Sequence, residues 1–338
     1  MKKIIYAIAT MALVCCKNGQ QTTTEDSSAL VDAPAFCEDS AYAYVAEQCK
    51  FGPRTMNSEA HDKCGDYIAS KFESFGAKIY NQYADSKLYD GTPIKMRNIV
   101  ASVNPDADIH IIISGHWDSR PWADNDDDEA NYHTPIDGAN DGASSIGVML
   151  EMARVLCADL RENGDSAMLR QKGFAIDFIC WDAEDCGLPH FEDSYDGESS
   201  ASTWCLGSQY WAGKRHVDDY TARFGINLDM VGGSNTMFLK ESYSLHYAPT
   251  YVDKIWNIGQ KLGYDNYFSN ESMGAITDDH VQVNLSGIPC VDVIGADVEM
   301  DGFPRTWHTI NDNIQNINKQ TLKAVGHTML TVLWNERN

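Results

Sequence analysis

The chain reads as an α/β protein whose helices cover a mostly parallel central sheet, and three observations predict this. From about residue 109 onward, short apolar, β-branched runs alternate with longer segments of helical periodicity, the pattern of strand–helix–strand units. The run Phe174-Ala-Ile-Asp-Phe-Ile-Cys-Trp181 is apolar almost throughout, as a strand buried on both faces must be. No break in composition divides the interior of the 338 residues, so a single domain over 37–338 is expected.

In chain order, residues 39–49 carry Tyr42, Val45 and Ala46 at helical spacing and stop at Gly52-Pro53, a helix with its terminator. A second helix is expected over 58–75, with Ser58 as its cap, an apolar stripe of Tyr67, Ile68 and Phe72, and Gly76 as its end. Strands follow at 78–83, 97–103 and 109–114, joined by the turn signals Asp90-Gly91 and Asn104-Pro105. Then come a helix over 142–160 with a wide buried face, the strand at 174–181 and a helix at 204–212. A strand at 223–231, a helix at 250–262, a strand at 289–294 and a closing helix at 318–334 complete the pattern. The polar, glycine-containing loops at 120–137 and 187–203 are long for a compact domain, and such loops usually line a site.

The N-terminus stands apart from this pattern. Lys2 and Lys3 precede a short apolar run over 4–14 that is too brief to span a bilayer, as in a secretory signal. It ends in Leu13-Val14-Cys15-Cys16 and a polar tail. We therefore expect a lipoprotein-type signal at 1–16, lipidation at Cys16, a polar tether over 17–36, and an exported, periplasmic or cell-surface monomer whose membrane contact is the lipid alone. A formal charge of −23, from 26 basic and 49 acidic residues, excludes a basic face for nucleic acid. Of ten cysteines, eight lie beyond the signal and none forms a C-x-x-C pair, so a cysteine zinc knuckle is not supported. Cys186 and Cys205 bracket the 187–203 loop, where a disulfide and two free thiols are both open readings.

Acids and histidines recur where apolar strands end. His116 and Asp118 end one strand, and an i, i+2 pair points both side chains one way, so Asp118 is placed to orient the imidazole. Asp141 sits among small residues just before a helix, where it is either a ligand or an N-cap. Asp182, Glu184 and Asp185 follow the central strand, and Asp229 ends the next. Asp278-Asp279-His280 and Trp307-His308-Thr309 complete the set. Carboxylate and imidazole together suit zinc with one position open for substrate. Calcium, the alternative for a non-enzymatic protein, prefers more oxygen ligands and no histidine.

These residues, in order and spacing from about Met96 to the C-terminus, resemble the co-catalytic zinc aminopeptidases. Within that group they look most like the glutaminyl cyclases, through Asp278-Asp279-His280, Trp307 directly before His308, and Phe303-Pro304. The resemblance implies the three-layer α/β/α sandwich of that group. It also implies conversion of the N-terminal glutamine of peptides to pyroglutamate with release of ammonia. Asp141, Asp185 and His308 would hold one zinc, Glu184 would be the general acid/base, and Asp229 and Asp278 would form an acidic network beneath it. Trp307 would wall the substrate pocket, with Trp122 and Phe191 as further candidates for excluding water. Three departures stand out: Asp185 replaces the usual glutamate, Asp292 stands where animal cyclases have a histidine, and the stretch between Ile294 and Trp307 is longer. In the alternative, a two-zinc aminopeptidase, His116 and Asp229 would share Asp141 to hold a second zinc.

Overall fold

The computed structural model describes residues 29–192, 199–297, 299 and 302–338. The expected signal at 1–16, its Cys16 and the tether through residue 28 lie outside them. Residues Val31–Asn338 form one compact body. The stretch 31–36, assigned to the tether from sequence, belongs to this body: Val31 N–H donates to Asn335 Oδ1 at 2.8 Å, and Phe36 is buried.

Eight strands form one sheet. They are β1 (Lys78–Lys87), β2 (Pro93–Val103), β3 (Ile109–His116), β4 (Phe174–Trp181), β5 (Phe224–Asp229), β6 (Met237–Lys240), β7 (Phe268–Ser272) and β8 (Cys290–Ala296). Their order is β1-β2-β4-β3-β5-β8-β6-β7. The centre, β4-β3-β5-β8, is parallel, while β1 and β2 on one side and β6 against β8 on the other pair antiparallel. The mostly parallel α/β sheet expected from sequence is thus present, with antiparallel additions towards both edges.

The helices are α1 (Glu38–Cys49), α2 (Glu59–Phe75), α3 (Ala143–Asn163), α4 (Met168–Lys172) and α5 (Leu206–Gly213), followed by α6 (Ser242–Tyr247), α7 (Pro249–Lys261), α8 (Asp279–Leu285) and α9 (Lys319–Asn335). Ser58 caps α2 by accepting from His61 N–H, and Gly76 ends it at φ +113°, a left-handed value that glycine adopts without strain. Successive residues of β4 face opposite sides of the sheet: Phe178 stacks on Phe72 of α2 at 5.6 Å, while Ile179 packs with Trp211 of α5 and Val283 of α8. Helices therefore cover both faces. Among the described residues no helix is long and apolar enough to cross a membrane.

The sheet matters to the site because of direction. β3, β4 and β5 run parallel and in register, His116 pairing with Trp181. Their carboxyl ends therefore present His116, the 182–185 segment and Asp229 along one rim, where ligands bind in open α/β sheets.

Candidate metal centre

Each acidic strand end is held by the backbone around it. Asp118 accepts the backbone N–H of Glu184 at Oδ1 and of Asp185 at Oδ2, both at 3.1 Å. It lies 3.5 Å from His116 Nδ1, so clamping the 184–185 segment is its main task and orienting the imidazole is secondary. Asp312 does the same for the 140–141 segment, accepting from Asn140 and Asp141 N–H at 2.7 and 3.0 Å. The N-cap reading of Asp141 fails, because Gly142 occupies that position at φ +97° and no side chain caps α3. A Cβ on Gly142 would stand 2.7 Å from the Asp118 carbonyl and 3.1 Å from the His116 ring. Glycine there lets the Asp141 turn close against the His116 strand end.

With these supports, Asp141, Asp185 and His308 bring ligand atoms within 4.8 Å of one another, all three buried. His308 Nε2 is 3.1 Å from Asp185 Oδ1 and 3.6 Å from Asp141 Oδ2. Neither Asp185 oxygen is aligned to accept a hydrogen bond, and with Arg120 Nη1 no nearer than 3.6 Å to Oδ1 this buried carboxylate is only partly answered and gains from a further cation. Oxygen and nitrogen ligands of tetrahedral zinc stand roughly 3.3–3.6 Å apart, which these separations bracket, so the donor set fits zinc. Behind His308, Nδ1 lies 3.3 Å from Asp124 Oδ1, within ion-pair distance although not aligned as a hydrogen bond, a placement that leaves Nε2 to face a metal. Its backbone is left-handed at φ +55°, a strained conformation of the kind that gathers at functional positions.

A second set, His116, Asp141 and Asp229, lies beside the first. Here His116 Nε2 is 2.9 Å from Asp141 Oδ1 and aligned as a hydrogen bond, with Asp229 Oδ1 at 3.3 Å. Asp229 has its carboxyl pushed up to about 7, first by burial and then by Asp141 and Asp278. Burial likewise lifts Asp185 to about 6, reinforced by the Asp141 charge. Glu184 is raised well above the carboxylate range by burial, which with the Asp185, Asp279 and Asp278 charges outweighs the opposing pull of His116.

These residues line a cavity of about 210 Å³. Asp141, Glu184, Asp185, Asp229, Asp278 and His308 contribute its polar wall, and Trp204, Ile276, Ile294, Phe303 and Trp307 its apolar one. Trp307 stacks on His308 at 3.9 Å and meets Phe303 at 4.5 Å. The sequence profile of peptidase family M28 matches residues 98–333, a span that holds every one of these ligand candidates.

This chain belongs to peptidase family M28. Among solved structures it is similar to the Bacteroides thetaiotaomicron glutaminyl cyclase bound to N-acetylhistamine, at 51% identity and TM-score 0.84 over 90% of this chain and 100% of that one. It is also similar to a leucine aminopeptidase precursor from the same species, at 50% identity and TM-score 0.83 over 91% and 100%. The glutaminyl-peptide cyclotransferase of Boiga irregularis is 26% identical over 240 residues, 68% of this chain and 62% of that protein. The chain thus matches about three-fifths of the length of that curated relative.

Not every residue singled out from sequence reaches the centre of this M28 chain. Asp182 turns away and accepts from Arg97 N–H at 2.5 Å while pairing with His61 at 2.8 Å. His280 pairs with Glu241 at 3.2 Å. Asp278 does line the cavity, while also capping α8 and accepting from Asn227 Nδ2 at 2.8 Å; Asp292 lies opposite Asn227 on β8. Among the described residues the cavity wall includes neither Trp122 nor Phe191, which instead meet edge to face at 6.4 Å. The 120–137 loop acts as a bracket instead of a wall. Arg120 grips Asp124 through two bonds at 2.9 and 2.6 Å, and Asn125 N–H donates to the His308 carbonyl at 3.0 Å. Arg120 and Asp124 were missed from sequence, where only their i, i+4 spacing after the His116-x-Asp118 turn marks them. All eight described cysteines are free thiols, Cys186 and Cys205 included.

Proposed function

We propose that this chain is a zinc-dependent glutaminyl cyclase, converting the N-terminal glutamine of peptides to pyroglutamate with release of ammonia. Likeness alone does not choose between cyclase and aminopeptidase, because relatives of both kinds stand at about equal identity. The observation that carries the choice is how the two sets are bonded: both Asp185 oxygens lack a hydrogen bond, whereas His116 Nε2 is hydrogen-bonded to Asp141 Oδ1 at 2.9 Å. The Asp185 set therefore has two acceptors unmet where the His116 set has one, Asp229 Oδ1, which gives Asp141, Asp185 and His308 the stronger claim on a first zinc.

Zinc held by those three residues would supply Lewis-acid polarisation of the substrate's γ-carbonyl. The chain's own groups do the rest. Glu184 accepts a proton from the attacking α-amine and returns it to the departing ammonia. Its raised pKa, caused first by burial, suits a group that must hold that proton near neutral pH. Asp229 and Asp278 keep the surroundings of Glu184 acidic. Trp307, Phe303 and Ile276 exclude water and pack the glutamine methylenes, holding the side chain folded back so that the attack is intramolecular.

Incubating zinc-loaded protein with a glutaminyl dipeptide tests this directly. We expect ammonia with no free amino acid, and about one zinc per chain. Release of the second amino acid together with two zinc ions per chain would establish the aminopeptidase instead. We further infer that the chain is exported and anchored through Cys16, which a radiolabelled fatty-acid incorporation assay on the wild type and Cys16→Ala would decide.

A further inference from the structure

Glu184 has a poor set of neighbours for a group that must hold one orientation. Asp185, Asp278 and Asp279 surround it with like charge, and His116 Nδ1 is 4.0 Å from its Oε2. Among the described residues one side chain hydrogen-bonds its carboxylate: the Cys205 thiol donates to Oε1 at 3.2 Å. The contact is doubled by the backbone, since Cys205 N–H donates to the Glu184 carbonyl at 3.0 Å. Cys205 adopts φ +56° directly before α5, a left-handed conformation rare for a residue with a Cβ. The chain thus accepts backbone strain where this thiol meets the base. The residue is 1% exposed, and burial, with the Glu184 charge next, keeps the sulfur protonated and able to donate.

We propose that Cys205 is a positioning residue for Glu184. Its S–H holds Oε1, so that Oε2 is the oxygen left to take and return the substrate's proton. The inference rests on the cyclase reading above. A thiol is a weak donor, so the expected effect is modest and falls on turnover instead of binding.

The test measures ammonia release from a glutaminyl dipeptide by zinc-loaded wild type, Cys205→Ala and Cys205→Ser, with zinc content and Tm alongside. We expect Cys205→Ala to lower kcat roughly five- to tenfold with KM unchanged, and Cys205→Ser, which keeps a donor, to recover kcat to within about twofold of wild type. If the sulfur only filled space, serine, whose smaller oxygen refills only part of the gap, would leave most of the alanine loss in place; losses within about twofold of each other in the two variants overturn the proposal. So does an unchanged kcat in Cys205→Ala. An infrared difference spectrum, wild type minus Cys205→Ser, isolates the S–H stretch of this thiol. The band should move to higher wavenumber in Glu184→Ala, and a band that stays put refutes the contact. No ammonia from the wild type would sink the cyclase reading itself, while the infrared band still reports on the contact.

Discussion

The two ligand sets share Asp141 and draw on the same residue types, yet their atoms differ in what they have left to offer. Around His308, both Asp185 oxygens lack a hydrogen bond and the contacts run from 3.1 to 3.6 Å. Around His116, the imidazole is bonded to Asp141 at 2.9 Å. An inventory of ligand residues counts the sets as equal. Hydrogen-bond accounting separates them by degree: the first set leaves both Asp185 oxygens unmet and the second leaves Asp229 Oδ1, and each buried acceptor without a partner calls for a cation.

The comparison can be broken at several points. Glu184→Gln, which removes the proton carrier and takes a ligand from neither set, should lower kcat by about 10²–10⁴-fold with zinc content unchanged by atomic absorption. His308→Ala should reduce bound zinc from about one per chain to near none, while His116→Asn should leave it near one. If His116→Asn instead took the count from two to one, the sets would be equivalent after all. The metal-free protein offers a third test. Asp185 at about 6 and Asp229 at about 7 lie above the unfolded carboxylate value, so the folded state binds more protons. Its stability is greatest below about pH 4 with respect to these groups and is lost as pH rises through 6 to 7. We expect the Tm of the metal-free chain to fall by about 5 °C or more between pH 5 and 7.5, and zinc to flatten that slope. The smallest effect belongs to the shared wall: Trp307→Ala, which removes a ring stacked on His308, should raise KM about five- to tenfold in steady-state assays.

Much of this architecture was legible from residue order because the central strands are long and apolar. The strand expected over 174–181 matches β4 residue for residue, and the Ser58 cap and Gly76 stop of α2 were readable as chemistry. β7, Phe-Ser-Asn-Glu-Ser, has no apolar alternation to read. The seven-residue α8 and four-residue β6 are too short for periodicity to speak. Within the centre, sequence pointed to the acids that face the cavity but not to the groups that brace them. Asp312 and Asp124 act from 171 and 184 positions away from Asp141 and His308 respectively only in the sense that folding closes those distances; for Asp141 the separation from Asp312 is 171 residues. Their partners are backbone amides and a ring nitrogen, and no local pattern announces such long-range pairings. Asp182 misled for the opposite reason: it sits in the acidic run, yet its neighbour in space is His61.

The grip of Asp118 on two consecutive amides has a consequence for how such a protein can diversify. Because one carboxylate ties down residues 184 and 185 together, the proton carrier and its adjoining ligand shift as a unit, and an insertion between them would tear both from their seats. The residues that follow are tied elsewhere, Leu188 N–H to Thr203 Oγ1 at 3.0 Å and His190 N–H to Asp124 Oδ2 at 2.9 Å. Preference for one peptide over another can change instead through the apolar wall, at Ile276, Ile294 and Phe303, while the chemistry stays where it is.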